Sequence, residues 1–463
     1  MELWNSVEAL KTACKGSFEI DKGAFKIADE KRFRNETVDR LIWNAVFSGE
    51  EPVRKTSRWA IWEASQALGC PSSSINDFYM ARSKESWKDQ TVPAINLRGM
   101  TYDIARTIFK MLMRINSGTC LFEIAKSEID YTKQRPSEYA ACILAAAIRE
   151  GWHGPVFIQG DHFQANAKKF QADPDSEIAS LKSLIKEAIE AGFYNIDIDT
   201  STLVDLSKPT VFDQQRANFE TAAELTKHIR SLEPKGVTVS VGGEIGEVGG
   251  KNSTTEELTA FVEGFNGVMS LGTKKSPTGL SKISIQTGTT HGGVVLADGS
   301  IAKVKLDFDT LEELGKVARE QFGLGGVVQH GASTLPESAF DNFPKRQTLE
   351  VHLATAFQNT LYESTALPST LRENIYKWLK QDCAKEKTPD QTEEQFYYKT
   401  RKKGFGPFKK EMWSLTDNTK SALMSELAKT FDMMFKKLGI VGNRKLVDQH
   451  IKTAAVHHKP PAE

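Results

Sequence analysis

Cysteine is scarce in this chain and badly placed for cross-linking. The five cysteines (Cys14, Cys70, Cys120, Cys142 and Cys383) are odd in number, widely scattered and never arranged as CxxC, which argues against a disulfide scaffold and against a zinc knuckle. A reducing cytoplasm is the expected location. Net charge is lacking as well. Sixty Lys plus Arg balance sixty Asp plus Glu, so no global field favours nucleic acid or an anionic membrane, and any anion site has to be local. The N-terminal stretch MELWNSVEALKTACKGSFEIDKG contains no apolar run of signal or transmembrane length. No repeat of fixed short period runs through the chain. The expected partners are small molecules and further copies of the chain in a homo-oligomer, not nucleic acid and not a membrane.

What the chain does have is a rhythm. Residues 1–91 are polar, with tryptophans at intervals and apolar residues at helical spacing in VDRLIWNAVF and SRWAIWEASQALG, and are read as a helical addition. From Val92 short apolar runs alternate with amphipathic helical ones: VPAINL, TCLFEIA, PVFIQG, YNIDID, VTVSVGGEIG, KISIQTG and GGVVQHG are strand-like, and the segments between them have helical periodicity. The stretch VHLATAFQNTLYE that follows also reads as helical. About eight strands, each followed by a helix, predict parallel βαβ units, and a closed (β/α)8 TIM barrel over 92–370 is the commonest way to use so many; an open doubly wound sheet would alternate in the same way. Residues 371–463 read as a charged helical extension with a frayed end, HHKPPAE, in which His457 and His458 are expected to bind nothing. The basic run YYKTRKKGFGPFKK reads as a solvated face or an assembly surface, with a neighbouring subunit's phosphate site as the alternative.

Histidine placement is the most informative feature. His162, His291 and His330 each follow a strand, at the rim where barrel active sites are built. One such histidine is an ordinary structural residue, but three on different strands converge on one space, and three imidazoles with a vacant fourth position suit a catalytic divalent metal, zinc first, with cobalt or manganese able to substitute. Glu244, in VSVGGEIGEVGG, ends another strand and reads as a further ligand or as an anchor behind one. Asp161 reads either as a proton carrier beside the metal or as a helix cap. Asp199 and Ser201 either orient a ligand or cap. HGG at 291–293 and HGAS at 330–333 offer unobstructed backbone N–H groups, with the Ser333 hydroxyl, and such turns cradle phosphate.

In order and spacing, the series VPAINL, GDH, IDTS, GGEIGEVGG, GTTHGG with KVKLDF, QHGAST and VHLATA resembles the class II, metal-dependent fructose-bisphosphate and tagatose-bisphosphate aldolases over residues 92–370. The resemblance implies that Asp161 handles the proton of the carbon–carbon bond, that His162, His291 and His330 hold zinc with Glu244 near it, and that Gly292, Gly331, Ser333 and Thr355 hold the phosphate of a dihydroxyacetone-phosphate half. The substrate it implies is a ketose phosphate such as fructose 1,6-bisphosphate. The chain departs from that family in two places. Lys251 and Asn252 stand where acids follow the GG, with Glu247 as a substitute, and His352, Ala354 and Ala356 replace polar residues near the last strand. A metal-dependent sugar-phosphate epimerase and a non-catalytic companion subunit of a tagatose-bisphosphate aldolase are the alternative functions.

Overall fold

A strand covered by helices on one side and by the other strands' side chains on the other is apolar along its whole length, and the predicted runs pair accordingly. In the computed structural model, which describes residues 1–21, 23–246, 251–272, 276–288, 296 and 306–461, eight strands form a ring. They are β1 (Val92–Asn96), β2 (Leu121–Ala125), β3 (Val156–Gln164), β4 (Asn195–Asp199), β5 (Ser240–Gly246), β6 (Lys282–Ile285), β7 (Val327–Gln329) and β8 (Glu350–Leu353). Each pairs in parallel with its sequence neighbours, and β8 pairs with β1, so the sheet closes into a (β/α)8 barrel without a free edge. An open doubly wound sheet is thereby excluded.

Around the ring, α1 (Glu51–Ala67) comes from the N-terminal segment. Barrel helices follow the strands: α2 (Thr101–Arg114), α3 (Pro136–Glu150), α4 (Pro174–Glu190), α5 (Val211–Leu232), α6 (Thr255–Ser270), α7 (Phe308–Glu320) and α8 (Thr355–Glu363). The stretch VHLATAFQNTLYE, expected to be helical throughout, divides: its first residues belong to β8 and α8 begins only at Thr355. A short apolar run has no length over which a helical period can be told from a buried strand, and here the ring needs its eighth member. The N-terminal segment also carries a hairpin, Phe18–Asp21 against Ala24–Ile27. Ser72–Ser73 extends the sheet beside the start of β3. All five cysteines are free and buried, and no described helix is long and apolar enough to cross a membrane.

The end of the chain is docked, contrary to the expectation that it frays. Two indoles on α1 explain why. A buried tryptophan N–H needs an acceptor, and Trp59 and Trp62 donate to the carbonyls of His458 and Val456 at 2.9 and 2.7 Å. His458 stacks on Trp62 with ring centroids 4.5 Å apart and planes 5° from parallel, while His457 Nδ1 lies 2.7 Å from Glu63 Oε2. Both histidines therefore have partners. Removing residues 452–463 strands two indole donors and uncovers the Trp62 face, and is expected to cost about 2–4 kcal/mol. Urea unfolding of the shortened chain measures this, and an unchanged midpoint would mean that the docking contributes nothing.

Candidate active site

Pairing along β3 slips at the rim. Gly160 pairs with Ile196 of β4, yet the next paired residue, Phe163, faces Ile198, so Asp161 and His162 stand opposite the single residue Asp197. This is a β-bulge. His162 adopts a left-handed conformation with φ 42°, which costs a non-glycine residue roughly 1–2 kcal/mol. On a regular strand Asp161 and His162 would point to opposite faces; here both line one cavity.

His162 is gripped from behind. Its Nδ1 lies 3.2 Å from Asp199 Oδ2 and 3.3 Å from Glu244 Oε2. Asp199 is fixed in turn by Ser201, whose backbone N–H and hydroxyl donate to Oδ1 at 3.1 and 2.7 Å. His330, directly after β7, faces His162 with ring centroids 4.2 Å apart, and its Nε2 lies 3.1 Å from Ser284 Oγ on β6. One donor atom each from His162, His330 and Glu244 lie within 4.8 Å of one another. His291, Gly292 and Glu247 fall outside the described residues. Of the residues expected around a phosphate, Gly331, in left-handed conformation at φ 70°, Ser333 and Thr355 line the same cavity as Asp161, His162 and His330. Among the described residues its wall does not include Asp199 or Ser201; Asp199 contacts His162, and Ser201 contacts Asp199.

Beneath this rim the barrel interior is charged, which sequence reasoning missed. Lys282 on β6 is fully buried and donates to Gln159 Oε1 at 2.8 Å, lies 2.9 Å from Asp197 Oδ1, and is paired with Glu350. Glu350 also accepts from Tyr79 and from His352, the latter at 2.6 Å. His352 continues the chain upward, its Nδ1 lying 3.1 Å from Glu123 Oε2 and 3.3 Å from Asp161 Oδ1. Glu123, Asp197, Lys282 and Glu350 come from β2, β4, β6 and β8, the alternate strands whose side chains share layers in a barrel interior. A signal for them existed in the sequence. Each is a charged residue in a short strand run that carries apolar side chains at alternate positions (LFEIA, NIDID, KISI, LEVHL), and burial of that kind is tolerated only when charges are paired.

The electrostatics follow the pairing. Burial opposes ionisation of Glu350, but the Lys282 ammonium and His352 hold its pKa down to about 2. Burial, assisted by Asp161, pushes Glu123 up to about 7 against the pull of His352, and burial carries Asp197 to about 6 against Lys282. At the rim, burial and then the charge of Asp199 raise Glu244 to about 7, with His162 opposing. Burial works against a charged His162, yet Asp161 and Glu244 overcome it and hold its pKa well above the usual imidazole value. The rim is thus a place where carboxylates demand a positive charge.

The cavity, about 690 Å³, opens over these residues and is also lined by Asn96, Arg98, Lys126 and Glu128 from the first barrel loops. Its far wall comes from the basic run near residue 400. Tyr398, Lys399 and Lys402 line the cavity of their own chain, so the run is more than a solvated face. Lys251 and Asn252, by contrast, are not on the described wall. Asn252 donates to Asp307 Oδ2 at 3.0 Å.

Compared with known proteins, residues 85–422 match the sequence profile described as fructose-bisphosphate aldolase class-II. No curated protein matches the chain at a significant level. Among solved structures, a probable tagatose 6 phosphate kinase from Sinorhizobium meliloti superposes with a TM-score of 0.52 at 15% identity, over 78% of this chain and 93% of that one. A glycerol-complexed fructuronate-tagaturonate epimerase from Cohnella laeviribosi gives 0.50 at 12% identity, over 76% and 82%. A fructose-bisphosphate aldolase from Campylobacter jejuni gives 0.47 at 16% identity, over 81% and 97%. At these identities the likeness is one of fold.

The buried charges make a stability prediction. Lys282→Met leaves Asp197 and Glu350 with only His352 to share between them in the interior and is expected to destabilise the fold by about 3–5 kcal/mol. Adding Glu350→Gln removes one of the stranded charges and is expected to restore a measurable part of the loss in urea unfolding. A single variant as stable as the wild type would contradict this account of the barrel interior.

Proposed function

Because the chain belongs to the class-II fructose-bisphosphate aldolase family, we propose that it is a metal-dependent aldolase. It cleaves or forms a ketose phosphate or bisphosphate, such as fructose 1,6-bisphosphate, at the barrel mouth. The observation that carries this reading is the bulge that sets Asp161 and His162 side by side, with His330 and Glu244 in reach, under a cavity whose wall includes Gly331, Ser333 and Thr355.

The donor set fits a divalent cation. Two imidazoles and a carboxylate are the ligand types zinc takes, they lie within 4.8 Å of one another, and the surrounding carboxylates favour a positive charge between them. His162 and His330 would hold the ion, joined by His291, with Glu244 as a further ligand or as the group orienting His162. Bound there, the ion supplies electrophilic stabilisation to the substrate oxygens that gain negative charge as the carbon–carbon bond breaks. Asp199 and Ser201 keep the His162 ring in place, as partners behind a metal ligand do. The backbone of Gly331 and Gly292 with the hydroxyls of Ser333 and Thr355 hold the phosphate and so fix the reacting carbons over Asp161. In cleavage Asp161 delivers a proton to the carbon that keeps the bonding electrons; in condensation it removes one. His352, itself held by Glu123, lies against Asp161 and keeps its carboxylate aimed.

One observation favours a second reading. The hydroxyl proton released in cleavage needs another base, and Lys251 and Asn252 stand where the family has acids, with Asn252 turned to Asp307. An epimerase that moves a proton at one carbon of a sugar phosphate needs no base for a hydroxyl proton, though it needs a proton donor on the face of that carbon opposite Asp161. A companion subunit without catalysis accords less well with retention of Asp161 and its histidines.

The test is a coupled assay of triose-phosphate release from fructose and tagatose bisphosphates, with and without chelator, on the wild type and Asp161→Ala. Loss of activity on chelation, recovery with zinc, and a fall of about 10²–10⁴-fold in kcat for Asp161→Ala are expected. Epimerised product without triose phosphate would move the assignment to the second reading. A protein that binds no metal would rule out both.

A further inference from the structure

Among the described residues three carboxylates line the cavity: Glu123, Glu128 and Asp161. Glu128 is fully engaged. Its Oε1 accepts from Arg98 at 2.7 Å, and its Oε2 accepts from Asn96 Nδ2 at 2.5 Å and from the Ala125 N–H at 3.0 Å. Both ring nitrogens of His352 are engaged as well, Nε2 with Glu350 and Nδ1 between Glu123 and Asp161. Glu123 differs. Its side-chain partners among the described residues, Gln159 Nε2 at 3.0 Å and His352 Nδ1 at 3.1 Å, both meet Oε2, which leaves Oε1 for the cavity that the residue lines.

The strand explains why this carboxylate reaches the cavity. Side chains alternate along β2. Phe122 packs outward on Phe109 of α2, with ring centroids 4.9 Å apart, so Glu123 and Ala125 point into the barrel. Ala125, paired with Asp161 across the β2–β3 ladder, puts only a methyl group above Glu123, which is itself paired with Gln159. Burial raises the Glu123 pKa to about 7, against the pull of His352 and with the help of Asp161. A general base works best with a pKa near the working pH.

We propose that Glu123 is the second acid–base residue of this site, the group that takes the hydroxyl proton in cleavage and returns it in condensation. The inference deepens the aldolase reading and rests on it. Cleavage moves one proton from a hydroxyl oxygen to a carbon two bonds away. The O–H electrons form the aldehyde carbonyl, the electrons of the carbon–carbon bond stay with the carbon that Asp161 protonates, and the hydroxyl proton goes to Glu123. The pair holds one proton before and after, first on Asp161 and last on Glu123, as suits two carboxyls too close to ionise together. Serving neighbouring atoms requires the two groups to stand side by side, and both lie against one nitrogen of His352, at 3.1 and 3.3 Å. Groups that work on opposite faces of one carbon, as epimerisation requires, would stand apart.

Dihydroxyacetone phosphate separates the two proton transfers. In condensation Asp161 removes a proton from its carbon before any hydroxyl forms, so deuterium uptake from D2O, read by NMR, calls on Asp161 and not on Glu123. Glu123→Gln keeps the shape of the side chain and the oxygen that meets His352. In the zinc-loaded protein it is expected to lower kcat for cleavage of fructose or tagatose bisphosphate by about 10²–10⁴-fold and deuterium uptake by about tenfold or less. Glu123→Asp, which keeps a carboxyl, is expected to retain more cleavage than Glu123→Gln. Cleavage and uptake falling together in both variants would make Glu123 a support for Asp161 and overturn the assignment. Wild-type cleavage with an unimpaired Glu123→Gln would overturn the assignment alone, whereas a wild type that takes up deuterium but cleaves neither bisphosphate would remove the aldolase reading and the assignment with it.

Discussion

Two successive side chains of a strand point to opposite faces, and this site needs Asp161 and His162 on the same one. The bulge on β3 resolves the conflict by inserting one residue against β4, and most of the surrounding structure serves to hold it. The left-handed His162 is an uphill conformation that persists because its ring is fixed from three directions, by Asp199, Glu244 and the facing His330. Those contacts exist only because a closed parallel barrel brings the ends of β3, β4, β5 and β7 to one rim. Ring closure thus acts directly on the chemistry: without the β8–β1 pairing the rim would splay, and the geometry that sustains the bulge would go with it.

The charged interior below the rim is the second consequence of that demand. In the proposed reaction Asp161 moves protons and has to be aimed; His352 lies against it and is itself held by Glu123 and Glu350. Each added buried charge needs a partner, so the network extends down to Lys282 and ends in neutral groups: Gln159, which accepts from Lys282 and donates to Glu350, and Tyr79, which donates to Glu350. An apolar filling would stabilise the barrel at least as well, so the polar one is best understood as a support for the orientation of Asp161.

The sequence carried the barrel because strand and helix periods alternate visibly, and it carried the rim because histidine is rare enough for three strand-end copies to stand out. It did not carry β8 as a strand, since LEVHL runs directly into a helix and shares its apolar spacing. The interior charges went unread for a related reason. A Lys in KISI or a Glu in LFEIA reads as a solvent-facing position of a half-exposed strand, and only ring closure shows that such a strand has no solvent face. The docking of His458 on Trp62 was hidden differently: its partners are some four hundred residues apart in the chain, beyond any local pattern.

The basic run near residue 400 shows how topology changes the meaning of composition. Alone, YYKTRKKGFGPFKK is a charged stretch of the kind that usually faces water. Inserted against α8 and the Arg98 loop, its residues separate into distinct tasks. Arg401 turns inward and anchors, Gly404 and Gly406 admit close contact, and Phe405 packs on Gly99. Lys399 and Lys402 line the cavity, where Glu128 stands on the same wall and acts on Lys402. The helical segment beyond the barrel is therefore continuous with the site, and it lies within the stretch that matches the family profile.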